Sequence, residues 1–163
     1  MPKRSLLPVL VAVGLLSLGA ACSPSAPPVA TLTTDTKSSK FSSDKDKVLF
    51  LTIYLRPLSP IAAAEYHIRY HDNSTGMIPS PSDWDIRAVM KVNPKDIDQW
   101  TKNLPPANRE VPLDWGRALL PPKADWETTS RPRIFHSSDG RTVVAVFAPE
   151  GIVFKKVVSE PPS

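Results

Sequence analysis

Three histidines, His67, His71 and His136, carry most of the acid–base chemistry this chain can offer. His67 and His71 stand four apart. On a helix that spacing would turn both imidazoles toward one metal ion. On a strand it separates them by about 13 Å, too far for shared coordination. The surrounding residues decide between the two. Across Glu65-Tyr66-His67-Ile68-Arg69-Tyr70-His71 large apolar and polar residues alternate strictly, the period of a strand with one wet face. No metal site is expected. His71 with Asp83 could still form an oriented general base, with hydroxyls at Ser74, Thr75, Ser80 and Ser82 nearby in sequence. The chain lacks a Gly-x-Ser-x-Gly elbow to present a nucleophile, and it has no glycine pattern that would cradle phosphate. Hydrolysis is therefore the minor reading of this group, and contact with a partner the major one.

Trp84, Trp115 and Trp126 each follow an aspartate. An indole beside a carboxylate can stack on a sugar. Trp84 falls in phase with an alternating apolar face and Trp100 on an amphipathic stripe, so packing explains both. Trp115 and Trp126 lie in a Pro-rich passage, where exposure is more credible, and with His71 and Asp83 they are the candidate contacts for a glycan or protein partner, a minor reading beside packing.

The remaining reactive group is the thiol of Cys22, the only cysteine. Ahead of it stand Lys3 and Arg4, then the apolar stretch from Leu6 to Leu18, then Gly19-Ala20-Ala21. A charged start, an apolar core of roughly 7–15 residues and small residues before a cut mark an export signal. The stretch falls short of the about 20 residues a spanning helix needs. Leu18-Gly19-Ala20-Ala21-Cys22 resembles the lipobox of bacterial lipoproteins, with Gly19 where leucine is commonest. The resemblance implies cleavage between Ala21 and Cys22 and diacylglyceryl transfer to the thiol, followed by acylation of the new amino group. It also implies a protein held in the cell envelope by its lipid. Ser23, where the family's inner-membrane retention signal would have Asp, implies delivery to the periplasmic side of the outer membrane. No other cofactor is implied.

Composition narrows the classes further. Without residues 1–21 the chain keeps 18 basic against 16 acidic side chains, with no basic cluster suited to nucleic acid. With Cys22 committed to the anchor no internal disulfide can form, so one domain of modest size must stand on packing alone. Nineteen prolines favour short elements over long helices.

These features sit on a simple organisation. Residues 22–46 read as a flexible lipidated tether, poor in large apolar residues, with a root-mean-square reach of roughly 25–30 Å. A single domain spans 47–159, and 160–163 form a loose tail. Val48–Leu55 is a buried strand or a short buried helix, and its β-branched content favours strand. Glu65–His71 and Trp84–Val92 form an antiparallel pair around the loop Asp72–Ser82. One favourable register sets Tyr70 opposite Trp84, Arg69 opposite Asp85 and His71 opposite Asp83.

Asn93-Pro94 then caps a helix carrying Ile97, Trp100 and Leu104, and Leu113–Leu120 is expected to supply a second short one. Arg133–Ser137 and Thr142–Phe147 flank Asp139-Gly140, a two-residue hairpin turn. Pro149-Glu150-Gly151 leads into Ile152–Val158, where Lys155-Lys156 reads as a solvated strand end. The class is α+β: an antiparallel sheet of about five or six strands with one main helix and a Pro-rich irregular segment. The expected role is a non-catalytic binding or accessory subunit of an envelope complex, or an inhibitor of an envelope enzyme. The alternatives are a small envelope hydrolase working near His71 and a peptidoglycan-binding module.

Overall fold

The computed structural model describes residues 33–73, 81–108 and 110–160. The expected signal segment with Ala21 and Cys22, the expected tether as far as residue 32, loop residues 74–80 and the last residues 161–163 lie outside the described residues. Six strands, β1 (Thr34–Lys37), β2 (Ile61–His71), β3 (Asp83–Val92), β4 (Arg133–His136), β5 (Thr142–Phe147) and β6 (Ile152–Val158), form one antiparallel sheet in the order β1-β2-β3-β6-β5-β4. The class is α+β, and the β2–β3 register is the expected one: Tyr70 faces Trp84, Ile68 faces Ile86, Arg69 faces Asp85 and His71 faces Asp83.

Strand alternation gives the sheet two different faces. The first carries Tyr66, Ile68, Ile86, Ala88, Met90, Val144, Val146 and Val153 beneath helix α1 (Asp44–Tyr54) and a 3-10 turn, Pro94–Trp100. The second carries Ala63, Val89, Ala145, Phe147, Ile152 and Phe154 beneath the Pro-rich passage, whose Leu113 and Trp126 complete a second core. β5 and β6 are apolar on both sides because both layers cover them there, the pattern of interior strands.

Helix α1 corrects the strand expected at Val48–Leu55. Ser43 caps it by accepting from the Asp46 amide at 3.1 Å, and Asp44 and Asp46 stand at the positive end of its dipole. Once helical, Val48, Leu51 and Leu55 fall at spacings of three and four, so Leu51 and Leu55 are buried. Phe50 stacks on Tyr66 and tilts against Phe41 and Tyr54, and this row of rings ties α1 to β2.

The folded unit also begins earlier than a tether ending at residue 46 allows. Thr34–Lys37 adds an edge strand to β2, with Thr36 buried opposite Ile68. Ser38 and Lys47 both bond the Glu65 carboxylate. Ladder hydrogen bonds and this polar clasp supply the ordering energy that apolar content does not.

The expected main helix after Asn93 is instead a 3-10 turn of seven residues. Asn93 still caps it, accepting from the Lys95 amide at 3.0 Å. The tighter winding eclipses residues three apart, so Ile97 and Trp100 both point inward, and Trp100 Nε1 donates to Ser59 Oγ at 2.8 Å. Helix α2 (Asp114–Arg117) lies within the expected Leu113–Leu120 segment. The β4–β5 turn is longer than the two residues expected. Ser137 pairs with Thr142 around residues 138–141, because Asp139 accepts from Ser137 Oγ and from the Arg141 amide while Gly140 takes φ 70°.

Two contacts hold the Pro-rich layer down. Glu150, in the β5–β6 turn, accepts from the amides and hydroxyls of Thr129 and Ser130 at 2.6–3.0 Å. The Ser130 hydroxyl leads in holding its carboxyl down, to about 2. At the other end Gly116 lies directly on the Phe154 ring, where any β-carbon would overlap ring atoms. Gly116→Ala should therefore cost about 1–3 kcal/mol through overpacking, read as a lower urea midpoint with an unchanged slope.

Candidate functional site

The Pro-rich layer covers only one end of the second face. Toward the other end the outward positions of β1, β2 and β3 are charged, and they surround an open groove of about 560 Å³. Strand period two and antiparallel register put Asp35, His67, Arg69, His71, Asp83, Asp85 and Arg87 on this same face. His71 and Asp83, separated in sequence by the loop, become direct cross-strand partners at the groove.

Their side chains nevertheless bond elsewhere. His71 Nδ1 stands 3.4 Å from Thr33 Oγ1, which also accepts from the Asp72 amide at 3.2 Å. Asp83 accepts from Asn73 Nδ2 at 3.0 Å, and the same amide group reaches the Pro81 carbonyl. Register alone brings this base and acid together. Ser82 donates to Asp72, while Ser74, Thr75 and Ser80 lie outside the described residues.

The centre of the face is better ordered. Asp85 accepts Arg87 through two bonds, Nε at 2.9 Å and Nη2 at 2.6 Å, and Arg69 Nη2 at 2.6 Å from across the strand pair. Burial pushes the Asp85 carboxyl up, but the hydrogen bonds from Arg87 and Arg69 outweigh it and hold it below its ordinary value. Arg87 is held above its own by the same carboxylate, against burial. At the edge, His67 Nε2 donates to Asp35 Oδ1 at 2.6 Å.

His67 and His71 remain on one strand, and His136 bonds the Ser137 carbonyl through Nδ1 at 3.0 Å. Among the described residues no cluster of three metal-ligating side chains forms.

The tryptophans of the Pro-rich passage do not stand out as stacking platforms. Trp126 is only 5% exposed, with Lys91 Nζ 5.9 Å from its ring centroid while that ammonium also pairs with Asp125 at 2.9 Å. The Asp125-Trp126 pair thus clasps a lysine of β3. Trp115 is half-buried and meets Phe154 edge-on at 6.0 Å. Both indoles pack because the second face of the sheet is apolar where this passage crosses it.

Sequence reasoning missed Thr33 and Asp35, which join the groove only through β1. The alternation in Thr34-Asp35-Thr36-Lys37 was the available signal, muted by the absence of any large apolar residue.

Asp85→Asn should leave two guanidinium groups without their shared anion. A loss of about 1–2 kcal/mol at pH 7 is expected, between the cost for an exposed pair and that for a buried one. Because Asp85 is depressed in the folded state, its contribution is present above its ordinary value near 3.8 and is lost as pH falls below it. The difference in urea midpoint between wild type and variant should therefore be constant near neutrality and shrink in acid.

No family model matches the chain, and neither does any curated protein or solved structure.

Proposed function

We propose that this is a lipoprotein anchored through Cys22 to the periplasmic side of the outer membrane. Its domain serves as a non-catalytic binding or accessory subunit of an envelope complex, or as an inhibitor of an envelope enzyme, and it meets its protein partner through the charged second face. The lipobox resemblance supports the anchor and the location. The observation that carries the binding role is the ordered array Asp35–His67 and Arg69–Asp85–Arg87 beside an open groove. Exposed ion pairs contribute only about 0–1 kcal/mol each. The two dry layers supply most of the hold on the sheet, and beyond the Asp85 cluster the array adds little to it, so recognition is the better account of its charges. Fixed charges of both signs select a complementary surface and exclude mismatched ones.

One observation favours a second reading. Thr33 Oγ1, His71 Nδ1 and the Asp83 carboxylate share the groove in the order of nucleophile, base and orienting acid. In a hydrolase Asp83 would have to leave Asn73 and turn to His71.

Radiolabelled palmitate should appear on the protein and vanish with Cys22→Ser; label surviving the substitution would remove the anchor. A photo-crosslinking residue at position 83 in the full chain should trap a defined envelope protein that one at exposed position 95 does not. Monomer alone from both positions would defeat the binding role. Turnover of an ester or peptidoglycan substrate that is lost with His71→Ala would establish the hydrolase instead.

A further inference from the structure

The first face of the sheet has a gap of its own. α1 lies over β2 and the 3-10 turn crosses the far end. Past the C-terminal end of α1 opens a groove of about 410 Å³ lined by Ile53, Tyr54, Leu58, Tyr70, Trp84 and Val157. Among the described residues three large hydrophobics are exposed, and two of them, Ile53 (37%) and Leu58 (42%), stand at this groove. Its size lies within the about 300–1,000 Å³ of small-molecule sites and its walls are largely apolar, as theirs are.

Its polar content is one-sided. Lys155 and Arg56 line it, and among the described residues no acidic one does. Lys155 follows Val153 by two on β6, so the pleat turns it onto this face, while Lys156 turns to the other. Its ammonium stands 5.7 Å from the Trp100 ring centroid, and among the described residues no carboxylate pairs with it. Burial alone holds its pKa below the ordinary lysine value. In the same cross-strand row, Tyr66 carries a buried hydroxyl with no hydrogen-bond partner. A cation at an apolar site lacks its counter-charge, and an anion brought in by an apolar body would supply one.

We propose that this groove binds a small anionic amphiphile, an aliphatic chain ending in a single carboxylate, with the chain along Ile53, Leu58 and Trp84 and the carboxylate on Lys155 and Arg56. The site opens on the opposite face from the charged array, with Tyr70 and Trp84 bordering both grooves, and the proposal stands whether or not that array meets a partner. Charge complementarity selects the occupant. The two cations disfavour a cationic amphiphile, and the apolar walls offer a free inorganic anion nothing to bury.

The test uses the full chain carrying Cys22→Ser, so that no covalent acyl group competes. Laurate and dodecyltrimethylammonium are titrated below their micellar concentrations, followed by tryptophan fluorescence and calorimetry. Laurate should bind saturably, and at least about tenfold more tightly than the cation of equal chain length, the worth of one charge-assisted contact. Lys155→Met should weaken laurate by a similar factor without strengthening its dependence on salt. Leu58→Asp, a change at an exposed position that leaves the core untouched, should weaken it too, which keeps the test decisive if Lys155→Met misfolds. Equal binding of the two amphiphiles, laurate binding indifferent to both substitutions, or no saturation would overturn the proposal. So would saturable binding of an acetylated phenylalanyl dipeptide acid with no binding of laurate, which would assign the groove to a peptide terminus.

Discussion

The Phe154 ring rests on a backbone position that has no side chain, and the layout of the second face follows from that contact. Phe154 sits in β6 against Phe147, with ring centroids 4.9 Å apart, and Trp115 meets it from the layer above. Gly116 lets the backbone of α2 come down to ring distance. The Pro-rich passage can then bury Val89, Ala145 and Phe154 without a long helix. Its prolines help, because a chain with few backbone donors needs few partners when it crosses a sheet outside any ladder. At its far end the Glu150 carboxylate, holding Thr129 and Ser130, fixes where the layer returns to β4. Beyond this cover the same face has to be polar, and that is where Arg69, Asp85 and Arg87 stand.

The first face is assembled differently. A helix and a 3-10 turn cover it in part, and the cover leaves a gap past the C-terminal end of α1. β6 runs beneath both layers and records the result residue by residue. Ile152, Val153 and Phe154 are buried, after which Lys155 and Lys156 point to opposite faces. One lysine meets the polar side. The other lies under the first layer near Trp100, where an ammonium retains a ring's quadrupole but loses water. Identical neighbouring residues thus have different electrostatics because the pleat has a period of two.

The same pleat explains what could be read from the sequence. Alternation from Glu65 to His71 and from Trp84 to Val92 specified faces and register together, since a one-residue slip would send Tyr66, Ile68 and Tyr70 into water. α1 was hidden because, after its charged first turn, the stretch from Val48 to Tyr54 is apolar on nearly every side. Leu49 and Ile53 point outward at 64% and 37% exposure, so no stripe of period 3.6 stands out against a polar background. Ser43 and Asp44 did hold a capping signal, masked by the surrounding run of serines and lysines. β1 carries no large apolar residue, and its order depends on a partner thirty-odd residues later, which composition cannot register. Trp126 was misread because burial in an irregular passage is decided by what lies beneath it. Lys155 was within reach: counting by two from buried Val153 puts it on the covered face.

The early start of the fold also bears on how an anchor at Cys22 would present the domain. A tether running to residue 46 would let the domain wander well clear of the bilayer. Ten residues lie between Cys22 and Thr33, and the eleven Cα steps that join them span no more than about 40 Å in any conformation. Thr33 is itself part of the charged groove, beside His71. The chain therefore leaves the domain at the groove, and an anchor at Cys22 would keep the groove within that radius of the headgroups. A partner using the charged face would meet it close to the membrane surface. The amphiphile groove, on the opposite side of a sheet only one strand thick, would be held within a similar range of the bilayer. The position of β1 would thus tie an anchor at Cys22 to two surfaces that the sequence presents as unrelated.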